Sequence, residues 1–258
     1  MRLLLHQFRA EQKLFWRSRE LAFFTFLLPI VFFLILASAY GDEKIEGADG
    51  YLYLLSGMIG YGAAATTFAG LALLLVIRRE SGVLKRLRAT PIPGGTYIAA
   101  VLSSIVFVFF LEAVALIVLG RVAFDVPFPD NVVSLVLVLA LGAGAFAALG
   151  VGLTAVIRSA EGSSAVVNAI YLPATFISGA FFASDAFPGV LRAIAEALPL
   201  VHFIRLVRDV MLFDDQIWEH PTPVAIVAAW GVVGTVVAAV VDPVAVDREE
   251  VDDAGIRA

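Results

Sequence analysis

Cysteine is absent from the 258-residue chain. That excludes disulfides, thiolate metal sites and cysteine nucleophiles, and it leaves the redox compartment open. Histidine is scarce, and His6, His202 and His220 are too scattered to suggest a metal centre. No Gly-x-x-x-x-Gly-Lys-Ser/Thr loop is present to cradle phosphates, so the chain is not expected to hydrolyse ATP itself. His-Glu-x-x-His and Gly-x-Ser-x-Gly are missing too, which leaves zinc-protease and hydrolase functions without support. Charge is thin at 16% of residues, and the net charge of -5 hides loops of opposite sign. Nothing in the basic residues points to nucleic acid, because topology accounts for them.

What the chain does have is apolar length. Hydrophobic residues make up 60% of it, and the mean hydropathy is +0.93. Soluble domains run nearer half apolar, so the expected solvent is the lipid bilayer. The fold expected is all-α: a polytopic membrane protein with six transmembrane helices at about 21–40, 51–77, 96–120, 132–157, 163–182 and 223–241. Each run approaches or exceeds the ~20 residues that cross a hydrocarbon core. Pro29 predicts a kink in the first span. Gly57, Gly60, Gly62 and Ala63 to Ala65 give the second a small-residue face for close helix contact. The run GAGAFAALG in the fourth resembles a nucleotide-binding glycine pattern. It lies inside an apolar helix with no flanking strand, so it reads as a packing surface. Residues 1–241 form a single transmembrane domain, and 242–258 form an acidic tail whose composition predicts no packed structure.

The first nineteen residues are not a signal peptide, since charge runs throughout them. On a helix, Arg2, Arg9, Lys13 and Arg17 form one stripe and Leu4, Leu5, Phe8 and Phe15 another, with Trp16 at its edge. That pattern predicts an interfacial helix with its basic side toward anionic lipid. The alternative is a charged flank that merely fixes orientation. With the amino terminus inside, thirteen of the eighteen Lys and Arg residues fall in inner segments. Both termini are therefore expected in the cytoplasm of a cell-membrane protein.

One segment stands apart, RRESGVLKRLRATPIPGG from Arg78 to Gly95. It carries five basic residues against the single acid Glu80. Pro91 and Pro93 end any helix there, leaving a short one over about 80–89. Val83, Leu84 and Leu87 form an apolar patch on it. So short a helix is marginal alone, and it is expected to dock on something. The alternative is an ordinary basic loop.

The segment Arg79-Glu80-x-Gly82-x-Leu84-x-x-Leu87-x-x-Thr90-Pro91 resembles the intracellular loop of ABC exporter permeases of the daunorubicin-resistance type. The resemblance implies that Arg79, Glu80, Gly82, Val83, Leu84, Leu87, Thr90 and Pro91 belong to a cytoplasmic coupling helix seated on a separate ABC ATPase subunit. A second resemblance lies after the fifth span, in Asn168, Pro173, Ser178-Gly179-Ala180-Phe181-Phe182, Phe187-Pro188, Leu198-Pro199-Leu200 and Arg208. It implies an outer re-entrant helical hairpin, with Ser178, Gly179, Phe182, Pro188, Pro199 and Arg208 as its marker residues. Ala183 and His202 depart from the proline and the tyrosine common there. Apart from the resemblance, residues 183–221 are too apolar for a surface hairpin in water.

Together the two resemblances imply the permease subunit of an ATP-driven exporter. It would move a drug, lipid, glycan or similar substrate with no cofactor of its own, ATP being bound by the partner. A second permease copy or a paralogue would complete the pathway.

Glu112 is the one ionisable residue inside a predicted span. It lies roughly 12 Å from the outer end at 1.5 Å per residue, with Ser104 and Val108 on the same face. An intramembrane carboxyl is a candidate for the transport pathway, or else a protonated hydrogen bonder to a neighbouring helix. An ion-coupled secondary transporter using Glu112 is the alternative function, but it predicts further intramembrane acids or a repeated half-structure. A membrane scaffold would need no basic coupling helix. Copurification with an ATPase separates the first function from both rivals.

Overall fold

The computed structural model describes residues 2–90, 92–157, 159–182 and 187–241. Pro91, Ala183 and the acidic tail at 242–258 lie outside the described residues. So do Arg158 and the Arg88 side chain.

The chain begins with α1 (Arg2–Arg17) and α2 (Arg19–Tyr40), joined at Ser18. Next come α3 (Gly50–Gly62), a π-helical stretch (Ala63–Gly70) and α4 (Leu71–Glu80), which run on as one rod. The short α5 (Val83–Arg88) leads to α6 (Gly94–Phe124), α7 (Val132–Leu153) and α8 (Ala160–Ile177). Finally α9 (Gly189–Ala197), α10 (Pro199–Phe213), a 3-10 turn (Ile217–Glu219) and α11 (Pro221–Val241) close the bundle. Among the described residues, five helices are long and apolar enough to cross a membrane: α2, the Gly50–Glu80 rod, α6, α7 and α11. α8 occupies the expected fifth span and is more polar, carrying Ser163, Ser164, Asn168 and Thr175.

Three local features stand out. Pro29 lies buried inside α2, and the helix continues on both sides of it. The acidic segment after α2 forms a small antiparallel hairpin, β1 (Lys44–Ile45) with β2 (Ala48–Asp49). Its turn is Glu46-Gly47, both at positive φ, the geometry that two-residue hairpins need. Asp49 then caps α3, accepting from the Tyr51 and Leu52 amides at 3.1 and 3.2 Å. The third feature is the π stretch, which no hydrophobic period announces.

The core lies on α3, where all but Tyr51 of the thirteen residues are buried. Leu54, Leu55, Met58 and Ile59 meet Phe109 and Leu116 of α6 and Phe203 and Ile204 of α10. α10 is no surface cap: it buries ten residues and packs on α3, α7 and α11, whereas α9 buries only Ala195. In hydrocarbon, close packing rather than water exclusion drives helix association. Hence the small residues of α7: Gly142 leaves room for the Phe203 ring, and Gly150 lies against the backbone of the π stretch.

Candidate functional site

The last turn of α4 ends in three charged residues, and each holds a different part of the bundle. Arg78 donates to both carboxyl oxygens of Glu11, at 3.0 and 2.7 Å, and to the Tyr97 hydroxyl at 2.6 Å. Glu11 is the single buried residue of α1, 5% exposed. A buried carboxylate is tolerable only when paired, and the two-pronged guanidinium contact supplies that pairing. Arg79 donates to the Thr154 carbonyl at 3.0 Å and to the Ile157 carbonyl. These carbonyls follow the C-terminus of α7, where a cation is favoured. Glu80 accepts from the Ala160 amide at the start of α8, the end of a helix that favours an anion. Successive helical residues point about 100° apart. Three neighbours thereby reach α1 with α6, then α7, then α8.

The chain turns at Gly82, φ 71°, a conformation glycine adopts without a Cβ penalty. α5 follows, only six residues long, so Glu80 closes α4 rather than opening the coupling helix. The apolar patch of α5 docks within the chain itself. Leu84 and Leu87 are half-buried on a cluster of Leu71, Leu75, Tyr97, Val101, Ala147 and Val151. Val83 is half-buried too. Among the described side chains of this segment, Ser81, Lys85, Arg86, Ala89 and Thr90 are exposed.

Glu112 is 2% exposed, and its carboxylate accepts from the Thr66 hydroxyl in the π stretch at 2.8 Å. Gly62 makes this possible, since a Cβ there would collide with the Glu112 carboxyl. Glu112 lines a cavity of about 460 Å³ between α1, α2, the Gly50–Glu80 rod, α6 and Tyr171 of α8. Ser104 and Val108 line it as well, as their shared helical face predicts, and Ser104 accepts from Gln12 of α1 at 2.8 Å. Among the described residues, no group of three His, Asp or Glu side chains could hold a metal ion.

At the other end of α3, Arg208 of α10 sits 3.5 Å from the centre of the Tyr53 ring. It also donates to the Ser56 hydroxyl at 3.3 Å and the Gly179 carbonyl at 3.4 Å, and lies 3.6 Å from Glu46. Of the outer markers, Arg208, Gly179 and its neighbour Ser178 come together here. Ser178 donates to the Thr175 carbonyl at 2.8 Å, and Gly179 has φ 81°. Pro199 is the buried first residue of α10, Pro188 stands before α9, and Phe182 is exposed. α9 and α10 are pinned by Arg205, which donates to both oxygens of Glu196. Those hydrogen bonds hold the Glu196 carboxyl below its ordinary pKa. Burial instead pushes Asp209 up, against the opposing pull of His220.

Glu11 escaped sequence reasoning, yet a signal was present. Positions 4, 8, 11 and 15 share one face of α1, so the acid sits within the apolar stripe. An acid there must find a cation on the surface the stripe packs against.

The described residues thus form a helical bundle with several helices of membrane-crossing length and a charged junction at the end of α4. The model of the ABC-2 type transporter family matches residues 3–212, and the chain belongs to that family. Membrane subunits of this family work with an ABC ATPase subunit. Two stretches of similarity are to Nodulation protein J. That of Rhizobium leguminosarum bv. trifolii is 40% identical over 75 residues, and that of bv. viciae 39% over 75 residues. In each case the match covers 29% of this chain and 29% of the relative.

Proposed function

We propose that this chain is the permease of an ATP-driven exporter, with six spans and both termini in the cytoplasm. α8 is the fifth span, and α9 with α10 forms a re-entrant hairpin on the outer side. Two copies, or this chain and a paralogue, face each other, and the substrate passes between them. Residues 1–241 act as one transmembrane unit that uses no cofactor of its own and draws on ATP held by the partner.

The observation that carries this function is the junction at Arg78, Arg79 and Glu80. It lies directly before α5, so a push on α5 reaches α1, α6, α7 and α8 at once. The coupling element from Arg79 to Pro91 then divides its labour. Leu84 and Leu87 seat α5 on the bundle, with Val83 half-buried beside them, and each half-buried Leu contributes less than the roughly 1.5–3 kcal/mol of a fully buried one. The exposed positions Ser81, Lys85, Arg86, Ala89 and Thr90 meet the ATPase. Arg79 and Glu80 pass the displacement to α7 and α8, an interface-driven switch between two packed arrangements.

Arg79→Ala with Glu80→Gln is expected to leave the ATPase bound and hydrolysing ATP while transport falls tenfold or more. Full ATP-dependent transport in that variant would remove the transmission role. Failure to copurify with any ABC ATPase would remove the exporter. The absence of cysteine makes topology easy to test: a cysteine at Glu46 should react with an impermeant thiol reagent in intact cells, and one at Ser81 should not. The reverse pattern would overturn the orientation.

A further inference from the structure

The cavity beside Glu112 has the makings of a ligand site inside the membrane. Its volume of about 460 Å³ falls in the range of pockets that hold drug-sized molecules. It extends along α6 from Val101 to Glu112, roughly 16 Å at 1.5 Å per residue. Three side chains of the Asp, Glu, Lys and Arg types line it: Glu11, Arg78 and Glu112. Glu11 and Arg78 neutralise each other through their two-pronged contact. That leaves Glu112 as the one acid of the cavity not matched by a lining cation. Around it stand the rings of Tyr61 and Tyr171, with Leu28, Leu74 and Val108 beyond.

A carboxyl in an apolar chamber is neutral when it holds a proton and a hydrogen bond, as Thr66 provides, and becomes charged at little cost only when a complementary charge joins it. A proton satisfies the acid of the empty chamber and gives no account of a chamber of this size. A hard cation needs several oxygen ligands, and among the described residues no group of three His, Asp or Glu side chains could hold one. An anion would meet the carboxyl as a like charge. A lipophilic cation meets all the conditions together. Its charge pairs with Glu112, its apolar body fills the chamber, and tyrosine faces attract cations.

We propose that this cavity is a binding site for lipophilic cations, with Glu112 as the charge partner. This deepens the exporter function by naming a class of substrate, but binding to the chain can be read without ATP or an ATPase. The probe pair is tetraphenylphosphonium and tetraphenylborate, nearly the same shape with opposite charge. Each is titrated by equilibrium dialysis against the full chain in lipid nanodiscs, with empty nanodiscs subtracted.

The phosphonium is expected to bind saturably, near one per chain, and the borate not to saturate. Glu112→Gln keeps a side chain able to bond Thr66, and it should weaken phosphonium binding at least tenfold. Leu28→Trp, which fills the chamber without touching the acid, should weaken it to a similar degree. The proposal is overturned by equal binding in Glu112→Gln and wild type, by saturable borate binding sensitive to Leu28→Trp, or by no saturable phosphonium binding at all. None of these outcomes bears on whether an ATPase docks at α5, so failure here is distinct from failure of the exporter function.

Discussion

The rod from Gly50 to Glu80 is held at both ends by arginine, and the two ends are built differently. At the α4 end, Arg78 meets a fully enclosed acid through two short bonds and a tyrosine hydroxyl through a third. At the α3 end, Arg208 rests over the Tyr53 ring, and its polar contacts stretch from 3.3 to 3.6 Å. Its acid, Glu46, sits in a two-residue turn and is 27% exposed. The first junction fixes distance and angle together. The second fixes position while leaving the guanidinium several comparable partners. A tight hold beside α5 and a looser one at the opposite end would suit the proposed push on the rod from its α5 end.

The largest effect expected follows from breaking the tight junction. Glu11→Ala leaves the Arg78 charge uncompensated, a loss of about 3–5 kcal/mol for a buried pair with one partner removed. It should appear as lost expression or a collapsed melting temperature, and Glu11→Gln should recover part of it. Next is Arg208→Gln, which removes the cation from the Tyr53 face and leaves Glu46 without that charge. A cost of about 1–2 kcal/mol is expected from the lost cation–π contact, read as a lowered melting temperature. If Arg208→Gln proved as damaging as Glu11→Ala, the contrast between the two ends would be gone.

Smaller still is the pairing of Glu196 with Arg205. Glu196 is held below its ordinary value by Arg205, so its stabilisation is complete above the unfolded carboxyl pKa, about 4.3. It is lost as pH falls through the lower folded value. Both partners are partly exposed, 39% and 41%, so the effect is small. Between pH 5 and 3 the melting temperature should fall slightly less in Glu196→Gln than in wild type. The smallest effect belongs to Tyr53→Phe. The Tyr53 hydroxyl has no hydrogen-bond partner among the described residues, so its removal should change stability by less than about 0.5 kcal/mol, the ring still facing Arg208. A loss of 2 kcal/mol or more would show that the hydroxyl, not the ring, holds Arg208.

The long apolar runs were legible because crossing hydrocarbon demands length and little charge. The observed helices differ from the expected spans by a few residues: α6 runs past both ends, to Gly94 and Phe124, while α7 stops at Leu153 and α8 at Ile177. The charged segment after α4 was legible as a unit, and its internal roles were not. Leu84 and Leu87 look unattached in sequence because their core comes from Leu71, Tyr97 and Ala147, which lie on three other helices. Glu80 was read as part of the coupling helix because the sequence does not announce that Gly82 turns to the left-handed region two residues later. Glu112 was visible at once as a charge among apolar neighbours. Thr66, its partner, was not, because a threonine in a small-residue run carries no sign of the π stretch that positions it.

The junction at Arg78, Arg79 and Glu80 also bears on how this family can change over time. The angular place of each of the three residues on the helix decides which partner it reaches. One residue inserted or removed between the π stretch and Glu80 would swing every later side chain by about 100°. Arg79 would then point away from the α7 carbonyls and Glu80 away from the α8 amide. Relatives that keep this mechanism should therefore vary freely in loop length elsewhere, and keep the count of residues here unchanged even where the residue types drift.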